Sequence, residues 1–205
     1  LCPSPDGEGF LAASDEDGVY KVAIDGSTTP FYQKYPLDCE GVTIDSSTGD
    51  VYYVLEGDQQ VMKLAAGKYS EPELVCTIAD VGFGTNAGLE GISYYKDGIL
   101  FIGNQFSPNL LMLYSLEEGM LKRTELTGTK EIADLCYDPL RDVLWIADSI
   151  DRTINMCTVD GDVLASYPVP FIDNGEAIYV DHERGCIWVG DDTTSNLYRI
   201  QFQGL

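Results

Sequence analysis

Between Asp38 and Glu56 short apolar runs alternate with polar turns, in the order D-C-E-G-V-T-I-D-S-S-T-G-D-V-Y-Y-V-L-E. Val42 to Ile44 is largely apolar, Asp45 to Asp50 polar and Val51 to Leu55 apolar. Val61-Met62-Lys63-Leu64 resumes after a short polar gap. Runs this short, broken by Gly, Asp and Ser, predict strands joined by tight turns in a meander.

The phrase returns three times. Glu90-Gly91-Ile92-Ser93-Tyr94-Tyr95 leads through Lys96-Asp97-Gly98 to Ile99–Asn104. Ala133-Asp134-Leu135-Cys136-Tyr137-Asp138 leads to Val143–Asp148, and Glu176-Ala177-Ile178-Tyr179-Val180-Asp181 leads to Cys186–Asp191. The openings at 40, 90, 133 and 176 are 50, 43 and 43 residues apart. A period of about 40–50 residues made of short strands predicts a propeller with one four-stranded blade per repeat.

A fifth copy, cut short, fills the start of the chain. Ser4-Pro5-Asp6-Gly7 matches the turn, Phe10 to Asp15 the second strand with its closing acid, and Val19 to Val22 the third strand. The expectation is an all-β, five-bladed propeller of four-stranded antiparallel blades, a single domain over 1–205. Its blades span roughly 1–36, 37–80, 87–128, 131–170 and 174–205. Register also predicts that residues upstream of Leu1 begin the first blade and supply the outer strand of the last, which stops at Gln203-Gly204-Leu205.

Composition narrows the partners. Asp and Glu number 34 against 12 Lys and Arg, a formal charge of -22, which repels nucleic acid and anionic lipid and attracts cations. Apolar runs reach four to six residues, too short for a membrane-spanning helix. The six cysteines form no C-x-x-C or zinc-type cluster. Cys2, Cys136, Cys157 and Cys186 lie in predicted strands as buried thiols. Cys39, at a blade entry, and Cys76, in the outer strand of that blade, are a candidate disulfide. The even count and the acidic charge fit an extracellular, cell-surface or periplasmic protein.

Propeller geometry locates the candidate chemistry. Innermost strands start at the top face beside the central channel, and second strands end there. Glu40, Glu90 and Glu176, with Ala133 at the fourth place and Asp134 beside it, should therefore meet the closing set Asp15, Glu56, Asn104, Asp148 and Asp191 on one rim. Carboxylates at close range resist joint ionisation, and a hard dication removes that penalty. An all-oxygen set with no His or Cys favours Ca²⁺ over zinc, iron or the stricter octahedron of Mg²⁺. The same acids would alternatively cap strand ends by accepting backbone N–H bonds. Gly41 and Gly91 are read as letting the chain turn sharply beside the channel.

The phrases E-G-V-T-I-D-S-S-T-G-D-V-Y-Y-V-L-E and E-G-I-S-Y-Y-K-D-G-I-L-F-I-G-N resemble the SdiA-regulated propeller family over essentially the whole chain. That family consists of five-bladed, NHL-like propellers of bacterial envelope proteins. The resemblance implies a calcium site whose acids match Glu40, Glu90 and Glu176, with Ala133 as the departure. L-W-I-A-D-S-I-D-R-T-I-N-M-C-T-V-D-G is also similar to NHL and YWTD repeats.

Two functional readings follow. In the first, the propeller is a calcium-stabilised binding or structural module with a protein partner or a neighbouring module in a larger assembly. In the second, it is a calcium-dependent hydrolase at the same rim, lactonase-like or a phytase-like phosphoesterase. A phosphoesterase needs cations to hold phosphate, yet Lys96, Arg141 and Arg184 fall in bottom turns, leaving only Arg152 and Lys130 for the top. The single histidine, His182, sits in the bottom turn Asp181–Arg184, where a solvated role is expected. Gly82 to Gly88 is glycine-dense but has no following helix, and reads as a top-face loop. Tyr52, Tyr94, Tyr114, Tyr137 and Tyr179 are expected to pack between blades.

Overall fold

The computed structural model describes residues 1–81 and 87–202. Most of the glycine-dense stretch assigned to a top-face loop, and the last three residues, lie outside the described residues.

Alternation of apolar and polar positions yields five antiparallel meanders. The first blade contains β1 (Cys2–Pro3), β2 (Phe10–Ser14), β3 (Gly18–Val22) and β4 (Thr28–Gln33). The second contains β5 (Cys39–Ile44), β6 (Val51–Leu55), β7 (Gln60–Leu64) and β8 (Pro72–Thr77). The third contains β9 (Leu89–Tyr94), β10 (Ile99–Asn104), β11 (Leu110–Ser115) and β12 (Gly119–Glu125). The fourth contains β13 (Asp134–Asp138), β14 (Val143–Asp148), β15 (Thr153–Thr158) and β16 (Val163–Pro168), and the fifth β17 (Gly175–Asp181), β18 (Cys186–Asp191) and β19 (Asn196–Gln201). The molecule is thus a five-bladed β-propeller. Four blades have four strands, while the fifth has three among the described residues. No helix of the described residues is long and apolar enough to cross a membrane.

Turn chemistry fixes the hairpins. Asp97 (φ 52°) and Gly98 (φ 74°) both lie in the left-handed region, as a two-residue type I′ turn requires. In the second blade Asp45 accepts bonds from the Ser47 amide (2.9 Å) and the Thr48 hydroxyl (3.0 Å).

The core is divided among the blade interfaces. In β10, Leu100 and Ile102 pack toward the second blade and Phe101 toward the fourth. In β14, Leu144 and Ile146 face the third blade and Val143, Trp145 and Ala147 the fifth. A period of two, buried on both sides, turns every second strand into a wedge. It also explains why β6 and β14 are buried along their whole length. Phe10 closes the ring against Trp188 (5.1 Å between ring centroids) and Tyr179 (5.8 Å). Tyr52 stacks on Tyr94 at 6.4 Å, and Tyr137 meets Tyr95 edge-on at 4.7 Å, so the tyrosines do pack between blades.

Polar bonds join the inner strands in one rotational sense. The Tyr94 amide donates to Thr43 Oγ1 (2.9 Å), and the Tyr137 amide to Ser93 Oγ (2.9 Å). Cys136, at the same place in the repeat, has the Val180 amide against its sulfur. Asp134 adds a buried hub. It accepts from the amides of Ile178 (2.8 Å) and Leu135 (2.8 Å), and the backbone nitrogen of Leu1 lies 3.1 Å away.

Two expectations need correction. Cys39 and Cys76 do not pair; all six cysteines are free thiols. Cys39 pairs across to Leu55, Leu55 to Gln60 and Gln60 to Thr77, so the two thiols sit on the innermost and outermost strands of one sheet. Three strand spacings, about 14 Å, separate those strands, well beyond the ~5.5 Å of a disulfide. His182 is not simply solvated either. Its Nε2 lies 2.8 Å from Oδ1 of the buried Asp138, joining the fifth blade to the fourth.

Asp138 and Asp181 anchor the bottom turns of these two blades. Asp138 accepts from the Leu140 amide (3.0 Å), Arg141 (3.0 Å) and the Trp145 indole (3.4 Å). Asp181 repeats the pattern with Arg184 (3.0 Å) and Trp188 (3.0 Å). Burial pushes the Asp138 carboxyl up, but the bonds from Arg141 and His182 win and hold it below the usual range. Asp138→Ala leaves the buried Trp145 indole without its acceptor, removes the partner of Leu140, Arg141 and His182, and is expected to cost about 2–4 kcal/mol. Urea unfolding checks this; a loss under about 0.5 kcal/mol, the size of an ordinary surface change, would show the network to be idle.

Candidate functional site

Three β-bulges build the centre. Cys39 pairs with Leu55 and Val42 with Tyr53, so Glu40 and Gly41 together oppose Val54. Glu90 and Gly91 oppose Gly103 in the same way, and Glu176 is the extra residue between Gly175 and Ala177. A bulge interrupts the ladder and re-aims its side chain. In the fourth blade β13 pairs with β14 without a break from Asp134 to Asp138, and Ala133 stands where the others carry glutamate.

The glycines after Glu40 and Glu90 serve a different purpose from a sharp turn, since neither has a positive φ. A Cβ on Gly41 would lie 2.3 Å from the Glu90 carbonyl oxygen, and one on Gly91 2.9 Å from the Leu135 nitrogen. Inner strands of neighbouring blades approach so closely that a side chain has no room.

The glutamates converge on one cavity of about 750 Å³, lined also by Asp15, Glu56, Gln105 and Asp191. Carboxylate oxygens of Asp38, Glu40 and Glu56 lie within 4.8 Å of one another. Burial, then repulsion from Asp38 and Glu56, pushes the Glu40 carboxyl up to about 8. Burial, then Glu40, raises Glu90 to about 10; burial, then Asp192, raises Glu176 to about 7. Near neutral pH these groups hold protons that a cation would displace.

The closing residues divide. Glu56 lines the cavity, and its Oε1 also accepts from the Gly88 amide at 3.0 Å. Asp15 is exposed at the cavity edge. Asp148 is a strand-end cap, accepting from the amides of Lys130 (2.7 Å) and Asp151 (3.0 Å), and does not line the cavity. Asp191 lines it but accepts from the amides of Asp173 (3.1 Å) and Asn174 (3.3 Å). These bonds hold its carboxyl low against the opposing effect of burial. Asn104 points its amide nitrogen at the Pro108 carbonyl (2.7 Å) and is fully buried outside the cavity lining.

Several participants were missed: Asp38, Glu131 and Asn174 stand two residues before Glu40, Ala133 and Glu176. Asp38 accepts from the Gly57 amide (2.8 Å) and Glu131 from the Ser149 amide (2.9 Å), in each case the residue after the closing acid. Asn174 donates to Glu176 at 2.7 Å. Glu131 contributes to raising both Glu90 and Glu176, so negative charge reaches the fourth place despite Ala133. The phrases D-C-E, E-I-A and N-G-E carried that signal. Gln105 was also missed; it lines the cavity, and its Oε1 is buried without a hydrogen-bond partner.

No family model and no curated protein sequence matches the chain. Solved structures do share its fold. Virginiamycin B lyase from Staphylococcus aureus superposes with a TM-score of 0.57 at 14% identity, over 94% of this chain and 69% of its own. An auxiliary nutrient binding protein from Bacteroides thetaiotaomicron gives 0.59 at 12%, over 97% of this chain and 57% of its own. Kuenenia stuttgartiensis hydrazine synthase gives 0.61 at 14%, over 92% and 53%. Identities this low show the propeller fold alone.

Proposed function

We propose that the protein is a calcium-binding propeller of the SdiA-regulated type, acting as a binding or interaction module outside the cell or in its envelope. The observation that carries this reading is the convergence of bulged Glu40, Glu90 and Glu176 on one cavity, with Asp38 and Glu56 within reach of Glu40. The donor set fits a hard dication. It is all oxygen, its carboxyls repel one another, and Gln105 Oε1 is an uncommitted neutral ligand. Bound calcium at Asp38, Glu40 and Glu56 would neutralise the closest cluster of the centre, which belongs to the second blade. The net charge of -22 fits a protein that concentrates cations at its surface.

Thermal unfolding with calcium, with magnesium and with excess EGTA tests the proposal. A site on the folded state alone raises the midpoint by mass action. Calcium is expected to raise it by about 5–10 °C at a hundredfold excess over Kd, on the scale of ~2.7 kcal/mol. Magnesium should do much less. Equal midpoints in calcium and EGTA would leave these acids as strand-end caps and solubilising charge.

One observation favours a second reading. A roomy cavity holding carboxyls raised to about 7 and about 10 also suits a calcium-dependent hydrolase with a protonated acid beside the metal. Within it, lactone opening is preferred over phosphoester hydrolysis. No lysine or arginine lines the cavity among the described residues; Arg152 pairs with Asp173 (3.3 Å) and Lys130 with Asp151. Calcium-dependent turnover of aliphatic lactones, lost in Glu90→Gln, would establish this reading.

A further inference from the structure

We propose that a cavity between the third and fourth blades binds an uncharged, single-ring aromatic molecule. The site shares no residue with the central cavity and does not depend on the cation. It measures about 100 Å³ and lies on the outer side of the interface. One wall is a sheet face of the third blade. Phe101 in β10 pairs with Leu113 in β11, and Leu113 with Lys122 in β12, while Leu111 and Thr124 form the next row. Tyr95 adds a second ring. The fourth blade supplies only Val159 and Asp160, from the turn after β15.

The repeat explains the gap. Leu100, Leu144 and Ile187 hold equivalent places in the second strands of the last three blades, each facing the preceding blade. Their partners on the third strands are Tyr114, Cys157 and Ile200. Tyr114 and Ile200 pack against the preceding blade and fill the space there. Cys157 shares a buried cluster with Phe101 and Leu111 but is the smallest of the three. The fourth blade therefore sets no large side chain against the outer face of the third.

The lining selects the occupant. Apolar cavities stay dry and take apolar guests; one of roughly 150 Å³ takes benzene. This one is smaller but open at its mouth, so a ring enters with one edge toward solvent. Rings already cluster at the site: Tyr95 lies 5.1 Å from Phe101 and meets Tyr137 edge-on at 4.7 Å. Aromatic rings favour such tilted contacts, and a guest ring extends the cluster. The charged lining residues, Lys122 and Asp160, form an ion pair with each other. They leave no uncompensated charge for a charged guest, whose desolvation would go unrepaid.

The probe is phenol, titrated into the protein in EGTA and followed by saturation-transfer NMR, with benzoate as the charged control. Phenol is expected to bind at millimolar concentration and benzoate at least ~10-fold more weakly. Val159→Phe, which fills the cavity from the turn, should abolish binding. Val159→Ala, which enlarges it, should bind phenol no more weakly than the parent. If Val159→Phe does not fold, cross-relaxation from the phenol ring to the methyl groups of Leu111 and Leu113 still decides. No transfer to phenol, equal affinity for benzoate, unchanged binding in Val159→Phe, or cross-relaxation to other methyl groups alone would each overturn the proposal. Because calcium is absent throughout, failure here leaves the cation site untouched, and a melting point that ignores calcium leaves this site standing.

Discussion

In EGTA the protein is expected to lose stability as the pH rises from about 5 to about 9, by on the order of a few kcal/mol. Unfolded glutamates ionise near pH 4.5, whereas folded Glu176, Glu40 and Glu90 keep their protons up to about 7, 8 and 10. Between those limits the folded chain binds more protons than the unfolded one, so rising pH drains stability. The direction is opposite to that of Asp138, whose carboxyl is held low; its contribution is present at neutral pH and vanishes on acidification through its folded pKa. Saturating calcium should flatten the alkaline decline, because the ion replaces the departing protons. Glu90→Gln should also flatten it, raising stability at pH 9 in EGTA while shrinking the response to calcium. Urea titrations at five or so pH values decide the matter. Stability that climbs from pH 5 to 9 in EGTA would mean the glutamates are ionised and solvated, removing the electrostatic case for a metal.

The second large effect is expected from a single methyl group. Gly41→Ala places a Cβ 2.3 Å from the Glu90 carbonyl oxygen and 3.0 Å from the Ile92 nitrogen. Both obstacles are backbone, so the third blade must move outward. The Tyr94–Thr43 bond two residues along is strained by the same shift. A loss of about 2–4 kcal/mol follows from overpacking at a site that cannot relax. Gly67→Ala is the contrast. Its Cβ meets open space and only its φ of 76° resists, so it should cost about 1 kcal/mol. Denaturant midpoints of the two variants, taken side by side, measure the difference; a harmless Gly41→Ala would falsify the close approach of the inner strands.

Much of the fold was legible because its signals are local. Lys96-Asp97-Gly98 names its own turn, and a run such as V-L-W-I-A-D between two turns has room for little but a strand. The spacing of Glu40, Glu90 and Glu176 put them on one rim before any contact was known. The roles that could not be read depend on who stands opposite. Asp148 and Glu40 look alike in sequence, yet Asp148 meets two backbone amides and caps a strand while Glu40 meets other carboxylates. Cys39 and Cys76 belong to one blade, but a blade is four strands wide. His182 lies in a polar turn, and only the neighbouring blade supplies Asp138. The glycines after Glu40 and Glu90 were noticed for the wrong reason, because the obstacle belongs to another repeat.

Dividing the apolar core into wedges has a mechanical consequence. A closed ring carries load around its circumference and is as strong as its weakest joint. One of its joints lies between the first and fifth blades, where Leu1, Phe10, Cys186 and Trp188 are the buried apolar residues. A change at Phe10, which meets Trp188 and Tyr179 across that joint, therefore loosens all five blades through a contact between only two.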